Sequence, residues 1–403
     1  MLAIKENYQL FTKHKALTLC VFLFLFYAVL RVYVPTSILP ELLVLVLFFY
    51  MQTKPVSAQD RLVPKNAFTV WILYFVYFAF SALLTYNGAD DSGFFNENYR
   101  FIIFILILFL FASARIDYLS FSKLCLLGCR FHVFFTIMEL VYLTFVAFGD
   151  FYGVPLVGKA MPEMDEGTGY LLENDNMISF GFRPFGLMLQ PQKTGFIFVI
   201  GTVLEYVIAK AERRDVSKLW IVIFAIISIF QGAKTAFLML FVIAAAILFD
   251  IYPAKKRCLG RFVFYSAIAI AVLYILIHNI SLTDVGNDTN DRVLDDIKGF
   301  LSYGPFAFLF GIGVPINKDI IAHGFSGECY FMRIFCNWGV PLTLLLAYYF
   351  IRFLSTKDRK MNYILAVALF GMIYHYCVIN SYFVALAYIS AVCLSLHIEK
   401  YNK

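Results

Sequence analysis

The sequence predicts an all-α polytopic membrane protein with about twelve transmembrane helices and two long loops on one side, and three observations predict it. The 403 residues are 61% hydrophobic and only 15% charged. A chain of that composition has too little polar area to cover itself in water and needs lipid as its solvent. The apolar runs are also continuous, as in "FIIFILILFLFASA" and "AFLMLFVIAAAILFD". Strands of a membrane barrel would alternate apolar and polar residues, whereas a helix crossing a bilayer needs ~20 apolar residues in succession. Finally, the charges segregate. With the N-terminus inside, the inner segments hold 22 of the 33 Lys and Arg, and the outer loops hold 16 of the 27 acids. That is the positive-inside pattern.

Taken in order, the first run spans 16–34. No convincing cleavage site follows it and a second run, 36–51, begins just past Pro35, so it reads as a retained span and not a signal peptide. Runs at 67–85, 100–114 and 124–147 lead to a first long outer loop, 148–193. Spans at 194–209, 219–230, 235–250 and 262–280 follow, with a tight hairpin at Gln231–Thr235. A second long outer loop, 281–328, precedes the last three spans, 329–351, 363–379 and 382–397. The chain 1–403 is thus expected to be a single membrane domain with both ends cytoplasmic. The net charge of +6 then serves orientation and implies no nucleic-acid partner. The eight cysteines lie mostly inside apolar runs and suggest no disulfide framework. Cys125 and Cys129, one helical turn apart, read as small core residues, because two thiols alone make a poor zinc site.

Several familiar chemistries find no motif. There is no P-loop and no HExxH, and "FGIGVP" lacks the strand, third glycine and helix of a dinucleotide site. The outer acids form no persuasive metal cluster, so neither metal nor cofactor is expected. Positive charges outside are rarer and more informative. Arg183, followed by Pro184 and Gly186, precedes a polar stretch with Gln190 that leads into a helix. Lys234 sits in the hairpin "QGAKTAF", Arg292 in the second loop, and Arg333 about one turn inside the tenth span. A guanidinium offers a planar fork of donors suited to phosphate oxygens, and several such groups around one cavity would hold a diphosphate. The alternative is that each cation pairs with a neighbouring acid, and it suits Lys159, Lys298 and Lys318 better. Arg183 and Gly195 are separated by eleven residues, as are Arg292 and Gly304, although 23 glycines make a chance match easy.

His323 and Glu328 lie outside, just ahead of a span, where either could accept a proton from a sugar hydroxyl. A solvated histidine and a helix-start acid are the plainer alternatives. Inside the membrane, charge is costly and usually purposeful. Arg130 is close enough to the inner surface to snorkel. His132, Glu139 and His375 could form a proton path, as a transporter would need, or hydrogen-bond between helices.

At the level of motifs the chain resembles the O-antigen polymerase (Wzy-type) group, within the O-antigen ligase/polymerase superfamily of bacterial envelopes. The segments that carry the resemblance are "FRPFGLMLQPQKTG", "QGAKTAF", and "LFGIGVP" followed by "HGFSGECYFMRIFCNWGVP". Arg183, Gly186, Gly311, Gly313, Glu328, Tyr330 and Gly339 match its pattern, while Lys234 stands where relatives often carry arginine. The resemblance implies a GT-C-like fold in the bacterial inner membrane, with the active site facing the periplasm. It implies a membrane glycosyltransferase of surface-polysaccharide biosynthesis, such as that of lipopolysaccharide, that needs no metal. The substrates would be oligosaccharides on undecaprenyl diphosphate, and a chain-length regulator is a candidate partner. Arg183, Arg292, Lys234, Arg333 and Gln190 would then bind the diphosphate, with His323 or Glu328 activating the acceptor. An O-antigen ligase and a lipid-linked oligosaccharide flippase are the competing readings.

Overall fold

The computed structural model describes residues 15–33, 62, 65–85, 116–145, 184, 186–188, 191–231, 233–252, 300, 302, 304–311, 338–374 and 381–401. All regular structure among these residues is helical. In chain order it comprises α1 (Lys15–Leu25), α2 (Tyr27–Tyr33), α3 (Lys65–Thr85), α4 (Tyr118–Phe145), a 3-10 turn (Gly186–Met188), α5 (Pro191–Glu212), α6 (Lys218–Gln231), α7 (Lys234–Phe249), α8 (Gly304–Phe310), α9 (Val340–Phe353), α10 (Arg359–Tyr374) and α11 (Tyr382–Tyr401). Three segments, Tyr118–Tyr142, Lys193–Glu212 and Tyr382–Tyr401, are long and apolar enough to cross a membrane. This all-helical architecture with three such segments is compatible with a helical membrane protein. The expected spans 36–51, 100–114 and 262–280 lie outside the described residues.

Local signals set the helix starts. Asp117 accepts a bond from the Ser120 amide at 3.1 Å and another from the Ser120 hydroxyl at 2.7 Å. This cap starts α4 six residues ahead of the expected 124, because the polar first turn hides the helix from an apolar-run reading. Asp358 does the same for α10, accepting from the amides of Lys360 (3.0 Å) and Met361 (3.1 Å). Pro191 opens α5, a position where its missing N–H costs nothing. The first span bends at Phe26, yet its backbone bonds continue through the bend, with Phe26 N–H on Phe22 O at 2.9 Å and Leu30 N–H on Phe26 O at 2.8 Å.

Two differences from the expected layout bear on function. The second long loop is not all loop, since α8 forms inside it. The expected helix 329–351 is not continuous either: Gly339 has φ +82° and separates Trp338 from α9.

The centre of the bundle is α5. It packs against α4, α6, α7, α10 and α11, and every residue from Thr194 to Ala209 is buried. An all-round apolar helix belongs in such a position. Close approach is possible at Gly201, where a Cβ would lie 2.7 Å from Phe224 Cζ and 3.2 Å from Cys129 Cβ. Cys125 and Cys129 are buried free thiols in this core. A smaller group, α3, α8 and α9, packs together. The α3 face bearing Leu73, Val76, Phe80 and Leu83 is exposed, which a hydrocarbon solvent makes cost-free.

The bundle has a basic end. Lys123 of α4 pairs with Glu212 of α5, Lys210 of α5 with Asp358 before α10, and Lys360 of α10 with Asp250 after α7 at 3.2 Å. The Lys357 amide donates to Glu399 of α11 at 2.9 Å. About two turns deeper than the Lys123–Glu212 pair, Arg130 does more than snorkel. It pairs with the fully buried Glu205 and lies 4.5 Å from the centre of the Trp220 ring. Glu205→Ala leaves this guanidinium without its buried partner and is expected to destabilise the protein by about 3 kcal/mol. Thermal unfolding in detergent measures this, and an unchanged midpoint would contradict the pairing.

Candidate functional site

Helix directions place the opposite end of the bundle. Because α4 starts and α5 finishes at the basic end, the second half of α4 and the start of α5 lie away from it. The same holds for the α6–α7 hairpin, for the 3-10 turn, and for Ser381 ahead of α11. At this far end the polar side chains converge on the segment that follows Arg183.

That segment is held by its backbone. Glu139, buried in α4, accepts a hydrogen bond from the Gly186 amide at 2.6 Å. Gln231, the last residue of α6 and fully buried, donates its side-chain amide to the Pro184 carbonyl. The Ser381 hydroxyl meets the Met188 sulfur at 3.2 Å. Gly186 has φ +60°, and a Cβ there would lie 2.5 Å from His132 Nε2 and 2.9 Å from Thr194 Cγ2. Only glycine fits a left-handed backbone pressed onto an imidazole. His132 is fully buried, and neither of its ring nitrogens has a hydrogen-bond partner among the described residues. Of the two readings open to Glu139, proton path or hydrogen bond between elements, the geometry supplies the second. His375 lies outside the described residues.

A second knot sits at the same end, because α9 runs from Val340 toward Lys357 at the basic end. The Gly311 amide donates to Ala307 O at 2.7 Å and Gly311 has φ +78°, which ends α8 with a left-handed glycine. The last α8 carbonyls are then satisfied from α3: Tyr77 donates to Leu309 O and Ser81 to Phe310 O. Gly339 presses against the same spot. A Cβ on it would overlap the Leu309 carbonyl and lie 2.9 Å from Phe310 N. Trp338 packs edge-on against Phe78 of α3, with ring centres 5.5 Å apart. Gly311, where α8 ends, and Trp338, ahead of α9, are thus held close together through the contact of Gly339 with Leu309 and Phe310.

Of the expected site residues, Lys234 opens α7 in the hairpin beside Gln231. Arg183, Gln190, Arg292, His323, Glu328 and Arg333 lie outside the described residues. Their described neighbours in sequence lie toward the far end: Pro184 adjoins Arg183, α7 begins at Lys234, and Gly311 and Trp338 flank the stretch with His323, Glu328 and Arg333. Of the arginine–glycine echo only the two glycines lie among the described residues, and their settings differ. Gly195 is packed in α5, 2.7 Å by its would-be Cβ from Ala233, while Gly304 has φ +80° with nothing within 4 Å. Among the described residues no three His, Cys, Asp or Glu side chains gather as metal ligands would. Sequence reasoning missed Gln231, Tyr77 and Ser81. Gln231 is the polar residue closing an apolar run, and that was the available signal. Tyr77 and Ser81 look like ordinary span residues. No protein-family model matches the chain, and no curated protein matches it.

Proposed function

We propose that the protein is a membrane glycosyltransferase that polymerises lipid-linked polysaccharide repeat units. One observation carries the reading. Lys234, Pro184 next to Arg183, and Gly311 and Trp338, which flank the His323–Arg333 stretch in sequence, all lie toward the end of their helices opposite the basic end. If the basic end faces the cytoplasm, as positive-inside orientation directs, that far end opens to the periplasm of a bacterial inner membrane.

The chemistry follows from the residue types. The donor is a glycan chain on undecaprenyl diphosphate and the acceptor is a repeat unit on the same lipid. The acceptor hydroxyl attacks the anomeric carbon of the donor, and the new C–O bond replaces the bond to the diphosphate oxygen. Undecaprenyl diphosphate departs with the electron pair, and Glu328 or His323 takes the hydroxyl proton. Charge develops on the leaving diphosphate, so cations at the lipid–water boundary act where they matter most. Arg183 and Arg292 are assigned to that anion, with Lys234, Arg333 and Gln190 supporting them. The diphosphate bond already stores the energy, so no nucleotide is required.

Purified protein in detergent, given a lipid-linked repeat unit, is expected to produce a ladder of longer lipid-linked glycans. Failure to elongate, with the protein folded, would contradict polymerisation. Transfer of preformed chains to a lipid A-core acceptor would instead mark a ligase.

A further inference from the structure

We propose that Glu139 and Gln231 are positioning residues that grip the backbone next to Arg183 and fix where its guanidinium meets the diphosphate. The inference rests on the assignment of Arg183 above. It starts from an oddity of cost. An ionisable side chain within a span is expensive, and a neutral acceptor would satisfy one amide. Glu139 nevertheless places a carboxyl oxygen on the Gly186 N–H at 2.6 Å. Gln231 reaches the Pro184 carbonyl from a different helix. Only Phe185 separates the two gripped residues. The Pro184 ring fixes its own φ near about −65°, and Gly186 is wedged onto His132 and Thr194. Arg183 is one peptide unit from this clamp.

Bundle stability alone does not call for such a clamp. Helices α4 and α6 already pack on α5, and the gripped segment has only a three-residue turn of its own. Transition-state stabilisation, by contrast, demands a donor held in place before charge develops, since a displacement of ~1 Å can cost ~10²-fold in rate. A two-sided backbone grip supplies that fixity.

The test uses two readouts on full-length protein in detergent. The first is deuterium exchange of the peptide containing Gly186. Glu139→Ala should speed exchange at this amide roughly tenfold or more, while Glu139→Gln, which keeps an acceptor oxygen, should stay near wild type. The second is elongation of a lipid-linked repeat unit. Glu139→Ala and Gln231→Ala should each lower kcat more than they raise KM, and Glu139→Gln should restore most of the loss. In an Arg183→Ala background neither substitution should reduce the remaining rate further. Unchanged Gly186 exchange in Glu139→Ala overturns the grip. Losses that multiply with Arg183→Ala overturn the link to Arg183. If Glu139→Ala does not fold, Gln231→Ala carries the same cycle, because its side chain reaches the clamp from α6. A wild-type protein that elongates nothing removes the polymerase assignment, and the exchange result still decides whether Glu139 holds the turn.

Discussion

Alanine at Arg183 is expected to abolish polysaccharide longer than one repeat unit while the protein remains folded in the membrane. Stabilising a leaving diphosphate is worth at least ~10²-fold in rate when one well-placed donor is removed. The loss should fall on kcat, because charge on the leaving group grows in the transition state and not on substrate binding. Lysine at 183 should recover only part of the rate, since an ammonium supplies charge without the bidentate fork. The comparison is made on protein matched for membrane content. A wild-type chain-length distribution from Arg183→Ala would remove Arg183 from the site.

The second large effect is expected at Gly339, where geometry leaves no room. Its φ of +82° is unfavourable to any L side chain, and a Cβ would overlap the Leu309 carbonyl. The backbone term costs ~1–2 kcal/mol and the overlap a further ~1–3 kcal/mol. Gly304 provides the internal control. Its φ is nearly the same, +80°, but nothing lies within 4 Å of its would-be Cβ. Gly304→Ala should therefore lower the unfolding midpoint modestly, and Gly339→Ala clearly more. Gly339→Ala should also cut elongation disproportionately, because it displaces Trp338 and Gly311, the described residues that flank the stretch with His323 and Glu328 in sequence. Equal midpoints for the two variants would show that the contact with Leu309 does not matter.

These two sites mark what the sequence allowed to be read. The continuous apolar runs gave the helical class and the order of the described helices, because burial in lipid needs no long-range information. The α6–α7 hairpin is where "QGAKTAF" suggested. Apolar runs place two helix starts late, at 124 and 363, since Asp117 and Asp358 act through side-chain caps that hydropathy does not register. The interruption at Gly339 was hidden for a related reason. Glycine within an apolar run looks like a packing residue until the Leu309 carbonyl appears beneath it. Arg183 stood out by its rarity outside, but its support did not. Glu139 and Gln231 lie far from it in sequence, and only tertiary packing brings them to Pro184 and Gly186. Gly311, prominent in the motif "LFGIGVP", turns out to end a short helix.

The two ends of the bundle divide the labour. At the basic end, pairs such as Lys210–Asp358 and Arg130–Glu205 bind helices to one another. At the far end, polar side chains grip backbone instead: Glu139 and Gln231 on one segment, Tyr77 and Ser81 on another. Grips of that kind suit loops that must hold charged side chains in fixed places at a membrane surface.

The most direct test of polymerisation is deletion of the gene in its native strain, with complementation and surface polysaccharide resolved on a gel. The account predicts that a ladder of chain lengths collapses to a single-repeat band, returns with the wild-type protein, and does not return with Arg183→Ala. A ladder that stays intact after deletion would contradict polymerisation.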